Sequence, residues 1–162
     1  MTTFWAPPSW LPDWYTVRSV MVEDALTAMF KPLLPIVQVV NQLPDGTLDT
    51  GWTGRLLYIA RAGGGITVRH DEAPALIAAI TNSRTDSNSL IGWVRDVLSC
   101  VEDEIDIDMP DGTTAQITEV REVSGPEEVP GAEYDERIVP ATFAFTFATP
   151  LEMPDYSRYL GS

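Results

Sequence analysis

Residues 142–148, TFAFTFA, constrain the fold of this chain more than any other stretch. Their strict alternation sets Phe143, Phe145 and Phe147 on one face of an extended strand, a period no helix reproduces. The segment 113–123, TTAQITEVREV, alternates polar and apolar residues in the same way, after a turn at Pro110-Asp111-Gly112. A long acidic loop, 124–136, separates these two strands.

The clearest helix precedes them. Leu90, Ile91, Val94, Val97, Leu98 and Val101 recur at three- and four-residue steps, and Asp86, Ser87 or Ser89 can cap the start. The carboxylates from Glu102 onward oppose the helix dipole, so the helix ends near Val101. An earlier helix is predicted over 17–34, with Val17, Val20, Met21, Ala25, Ala28 and Met29 as its apolar side. Asp13 or Thr16 caps it, and Pro32 and Pro35 stop it. Between the helices lie strands in PIVQVVNQLPD, in 55–62 (RLLYIARA, ended by Gly63-Gly64-Gly65) and in 75–81 (ALIAAIT). Residues 66–74 read as a polar connection.

These elements give one α+β domain: a mainly antiparallel or mixed sheet of about five strands, with both helices on one face, in the order α-β-β-β-α-β-β. The domain spans 17–150. A Trp/Pro-rich arm, 1–16, precedes it and a polar tail, 151–162, follows. Trp5, Trp10 and Trp14 alternate with prolines in the arm, which favours extended backbone. Two readings of the arm stand: a strap folded onto its own domain, and an anchor docked in a neighbouring subunit.

Composition narrows the function class. Net charge is −14, from 24 acidic and 10 basic residues, which opposes electrostatic binding to nucleic acid or to an anionic membrane. An acidic wall nevertheless suits a channel through which DNA slides without sticking. No apolar run approaches the roughly 18–20 residues of a membrane span, and the first residues lack the pattern of a signal peptide. Folding in the cytosol is expected, and the single cysteine, Cys100, agrees with a reducing compartment.

Reactive constellations fail one by one. Gly63–Gly65 lacks the outer glycines and the lysine of a phosphate loop; the only lysine, Lys31, stands before a proline. A calcium loop starting at Asp106 would place Pro110 in a ligand position and Ile117 where a bidentate Glu belongs. His70 is the only histidine, too few with Cys100 for a zinc site or a triad. No catalytic residue, metal or cofactor is expected. Paired carboxylates are a matter of spatial pairing, so a small enzyme or ligand-binding domain with an acidic cleft around Asp106 and Asp108 stays as the alternative from another class.

Four stretches carry a family likeness: VEDALTAMFKPLLP, GRLLYIARAGGG, APALIAAITNSRTDSNSLIGWVRDVL and RIVPATFAFTFATP. In order and character they resemble the tail terminator proteins of long-tailed bacteriophages over about residues 20–150. The likeness is one of pattern, and it overlaps with head-completion and neck proteins of the same phages. It implies a virion protein, assembled in the host cytoplasm, whose ring, usually six subunits, caps the tail tube and ends its growth. Such a ring meets the head–tail connector at the tail–neck junction and lets DNA pass through its lumen. A connector stopper or adaptor in the neck is the neighbouring reading. The partners implied are the chain itself, the tail tube protein and the connector protein, with DNA as a passenger. Two acidic segments are candidates for the lumen or the ring surface: Glu102, Asp103, Glu104, Asp106, Asp108 and Asp111; and Glu127, Glu128, Glu133, Asp135 and Glu136. Both also fit plain solvent-facing loops.

Overall fold

The computed structural model describes residues 5–47, 49–66, 70–126, 136–149 and 153–161. Its elements run α1 (Val22–Phe30), β1 (Gln38–Val40), β2 (Leu56–Arg61), β3 (Gly65–Ile66), β4 (His70–Ile80), α2 (Arg84–Ser99), β5 (Ile105–Asp108), β6 (Thr114–Ser124) and β7 (Ile138–Ala148). The class is α+β, as expected, but the sheet has seven strands rather than about five. Its order is β1-β2-β4-β7-β6-β5, with β3 paired to β4, and it is mixed because β1 runs parallel to β2.

The two additional strands have separate causes. The run from Glu102 to Asp108 looks like solvated loop, yet Ile107 is buried, Ile105 packs against the core, and Asp106 and Asp108 point to solvent. Two apolar residues at a period of two suffice for β5. The region 66–74, expected as a connection, takes in Ile66 of β3 and the start of β4, even though Pro74 lies inside that central strand. The Pro74 carbonyl accepts from the Ala62 amide (2.7 Å), so the missing Pro74 N–H faces the gap where β2 breaks off. Gly64 fills that gap with φ +85°, and a Cβ there would sit 2.0 Å from the Glu72 carbonyl oxygen. The glycines thus interrupt a long ladder instead of turning a hairpin.

The first helix starts at Val22 instead of Val17. Residues 17–20 belong to no helix or strand, Met21 is extended, and the Val17 amide and carbonyl are both bonded to the Tyr156 hydroxyl (2.8 and 2.7 Å). Met21 is the N-cap and no side chain caps the helix, so neither Asp13 nor Thr16 acts as a cap. The buried stripe is Val22, Ala25, Leu26 and Phe30, while Met21, expected inward, is 50% exposed. Helix α2 is capped by the Ser83 hydroxyl, which accepts from the Asp86 amide, and not by Asp86, Ser87 or Ser89. Ser87 is fully buried and donates to the Arg137 carbonyl, tying α2 to the entry of β7.

One apolar core holds both helices on the same sheet face. Phe143, Phe145 and Phe147 lie at its floor, each no more than 2% exposed. Burial of such a ring contributes about 1.5–3 kcal/mol. Ile91, Val94 and Leu98 of α2 pack over them, and α1 packs mainly on β2, with contacts to β5.

At the β2–β4 bend, Arg61 gives Asp71 a bidentate pair (3.0 and 2.8 Å) and bonds the Gly63 carbonyl through Nε (2.7 Å). The hydrogen-bonded Asp71 raises the Arg61 pKa above its ordinary value. The Arg61 amide donates to Glu23 of α1 (3.0 Å), which carries the knot to the helix layer. Arg61→Ala leaves a nearly buried carboxylate unpaired. Urea unfolding should show a loss of about 2–3 kcal/mol, short of the ~3–5 kcal/mol of a fully buried pair because the guanidinium is 29% exposed. The double variant Arg61→Met, Asp71→Leu should regain most of that loss; equal losses in the single and double variants would contradict the assignment.

Candidate assembly surface

The two ends of the chain fold onto each other. Besides bonding Val17, the Tyr156 hydroxyl accepts from the Thr16 amide (3.2 Å). Trp14 stacks on Tyr159 with ring centroids 4.3 Å apart and planes 8° from parallel. Tyr15 lies against Tyr156 (5.4 Å), and Trp5 meets Tyr15 edge-on (5.1 Å). The Arg18 guanidinium covers the Trp5 ring (5.0 Å) while pairing with Asp24 of α1 (3.2 Å). Asp155 starts the short helical turn Tyr156–Tyr159 by accepting from the Ser157 hydroxyl and amide, which hold its pKa below the ordinary value.

This clasp places the three tryptophans differently. Trp5 is half-buried inside it, Trp14 is stacked and 37% exposed, and Trp10 projects with 80% of its surface free. Tyr156, Tyr159 and Arg18 were not anticipated from the sequence. The i, i+3 tyrosines of YSRY match a helical turn, but nothing in their spacing points to a partner about 140 residues away.

Of the acidic candidates, Glu102, Asp103, Glu104, Asp106 and Asp108 are exposed at the β5 edge of the sheet and Asp111 is half-buried in the β5–β6 turn. Glu104 and Asp106 accept from the Gln116 amide (2.9 and 3.4 Å), on the sheet face opposite the helices. That face also carries Glu72 and Glu119, which flank Thr146 on neighbouring strands. Glu136 is exposed beside Arg84, which bonds its carbonyl (3.4 Å). Glu127, Glu128, Glu133 and Asp135 lie outside the described residues. The register therefore puts Asp106 and Asp108 on the helix-free face, and Gln116 draws Glu104 to it.

Two grooves, of about 530 and 480 Å³, share Trp5, Arg18, Met109 and Asp111, so these residues form the divide between them. The smaller groove runs between the end of β1 (Val39, Val40) and the β5–β6 turn, over Thr27, Ala28 and Lys31 of the first helical segment. Neither groove contains Cys100 or His70. Cys100 is exposed at the end of α2, and His70 opens β4 opposite Ala148. Among the described residues no three His, Cys, Asp or Glu side chains gather to hold a metal, and no helix is long and apolar enough to cross a membrane. What the surface offers is docking area: aromatic rings, two sheet edges and a helix-free acidic face.

The family model described as phage tail termination protein matches residues 18–154, most of the 162-residue chain. No curated protein matches the chain.

Tyr156→Phe removes the acceptor of two amides and should loosen the clasp by about 1–2 kcal/mol. Hydrogen exchange should then speed up about tenfold at Val17 with β4 and β7 unchanged; unchanged Val17 exchange would refute the clasp. Asp155 gives the pH counterpart. Its charged form is favoured when folded, so its contribution is full above the unfolded carboxyl pKa and is lost as pH falls through the lower, folded value. The near-UV signal of the stacked rings should therefore persist through the ordinary Asp titration range and fade only below it. In Asp155→Asn it should lose that acid transition.

Proposed function

The chain belongs to the phage tail termination protein family, and on that premise we propose that it closes into a ring on the tail tube and ends the tube's growth. The family is structural, and its members are components of the virion tail. The observation that carries the proposal is the family match across both helices and the whole sheet. In this reading six copies, assembled in the host cytoplasm, form the ring at the tail–neck junction, with the tube protein on one side and the head–tail connector on the other.

The helix-free face lines the lumen in this proposal. Asp106, Asp108, Glu72 and Glu119 lie on it, opposite the helices, and Arg121 shares that face, 3.8 Å from Glu72. A wall of that sign repels the phosphates of transiting DNA and gives it no place to bind. The clasp residues lie largely outside the span of the family match, which supports reading the arm and tail as additions to a common domain, with Trp10 and Trp14 as anchors towards a partner.

Capture assays with the phage's own components test the role. The full-length protein should retain the tail tube protein, and portal-side proteins only once the tube is capped. Binding to portal-side proteins with no affinity for tube protein would overturn the terminator reading in favour of a neck adaptor.

A further inference from the structure

The smaller groove is a seam between the sheet's two open edges. β1 and β5 are the end strands of the ordered sheet, and the end of β1 and the turn after β5 form its two walls. The Gln38 amide bonds the Arg55 carbonyl beside β2 (3.0 Å), so the N–H and C=O of Val39, one residue on, point away from β2. Likewise the Met109 amide bonds Thr113 (2.9 Å), which turns the backbone groups of Asp108 outward. Unpaired backbone groups of this kind invite an added strand, and folded proteins commonly cover them with a loop.

Here the cover is the N-terminal arm. Trp5 lines both grooves, held between Tyr15 and the Arg18 guanidinium, and Arg18 is fixed to α1 through Asp24. The arm's far end is fastened by Tyr156 and Tyr159. Among the described residues, the arm's fastenings are side-chain contacts and bonds to one hydroxyl, and none of the arm's described residues joins the sheet. The strap is attached far more weakly than a strand would be.

We propose that the arm is a releasable strap, with Trp5 as its wedge, and that its release opens the seam to a segment of a second copy of this chain. Charge favours a second copy at this place. Arg18 and Lys31 balance Asp24 and Asp111 in the seam walls, whereas the rest of a chain of net charge −14 repels its own kind. The interface is heterologous, since the seam meets a different patch of the neighbour, and this is the kind of contact that closes a ring. The inference rests on the ring reading and adds to it a cause for delayed closure: free subunits keep the seam covered until assembly draws the arm away.

Sedimentation of the full-length protein across a concentration series tests this. Trp5→Ala and Tyr156→Phe should each self-associate at concentrations at least tenfold lower than the unsubstituted chain. Cys100→Ser under reducing conditions, altering an exposed side chain that lines neither groove, should match the unsubstituted chain, and circular dichroism should show all variants folded. Association that is unchanged or weakened in Trp5→Ala overturns the strap and leaves the ring intact. Chains that bind tube protein yet stay monomeric on it, with or without Trp5, overturn the ring and the strap together.

Discussion

The pairing of β4 with β7 is the constraint on which the rest of the molecule depends. Eleven residues of each strand lie in unbroken register, from His70 opposite Ala148 to Ile80 opposite Ile138. That ladder fixes which side of the sheet every later side chain faces, because a slip of one residue would turn Phe143, Phe145 and Phe147 to solvent. With the register set, β2 and β6 add on either side, the helices cover the phenylalanine face, and the opposite face is left for charge. The Arg61–Asp71 pair guards the break between β2 and β3, where β4 loses its neighbour beside Pro74 and Gly64.

What the sequence made legible follows from that hierarchy. TFAFTFA, the apolar stripe of α2 and the Pro110-Asp111-Gly112 turn are local patterns whose outcome the core reinforces, and the structure has all three. What stayed hidden was settled by distant partners. The start of α1 is not legible locally, because a tyrosine near the other end of the chain takes the backbone groups of Val17. β5 was lost in an acidic run because only Ile105 and Ile107 betray it. Pro74 is disfavoured in a central strand, and the gap opened by Gly64 makes it acceptable there. Of the candidate site, the acidic residues were visible as composition, while their common face was not. The tryptophans were visible as anchors, but the tyrosines that hold Trp14 and the arginine over Trp5 were not.

The acidity changes meaning once it is placed. A net charge of −14 spread evenly would only keep subunits apart. Much of it lies instead on the β5 edge and the helix-free face, and the seam beside α1 is balanced. A subunit built in this way can repel a passing polyanion along one surface while meeting its neighbours along another. Shape and charge distribution carry the proposed role; no bond-making chemistry is required.

The most direct measurement follows tube growth. Purified tail tube protein, polymerising in vitro, is given this protein at a few copies per tube end, and tube lengths are read by electron microscopy. The account predicts that elongation stops at once, leaving each tube end capped by a ring of density with an open centre. Tubes that continue to lengthen with this protein in excess would contradict it.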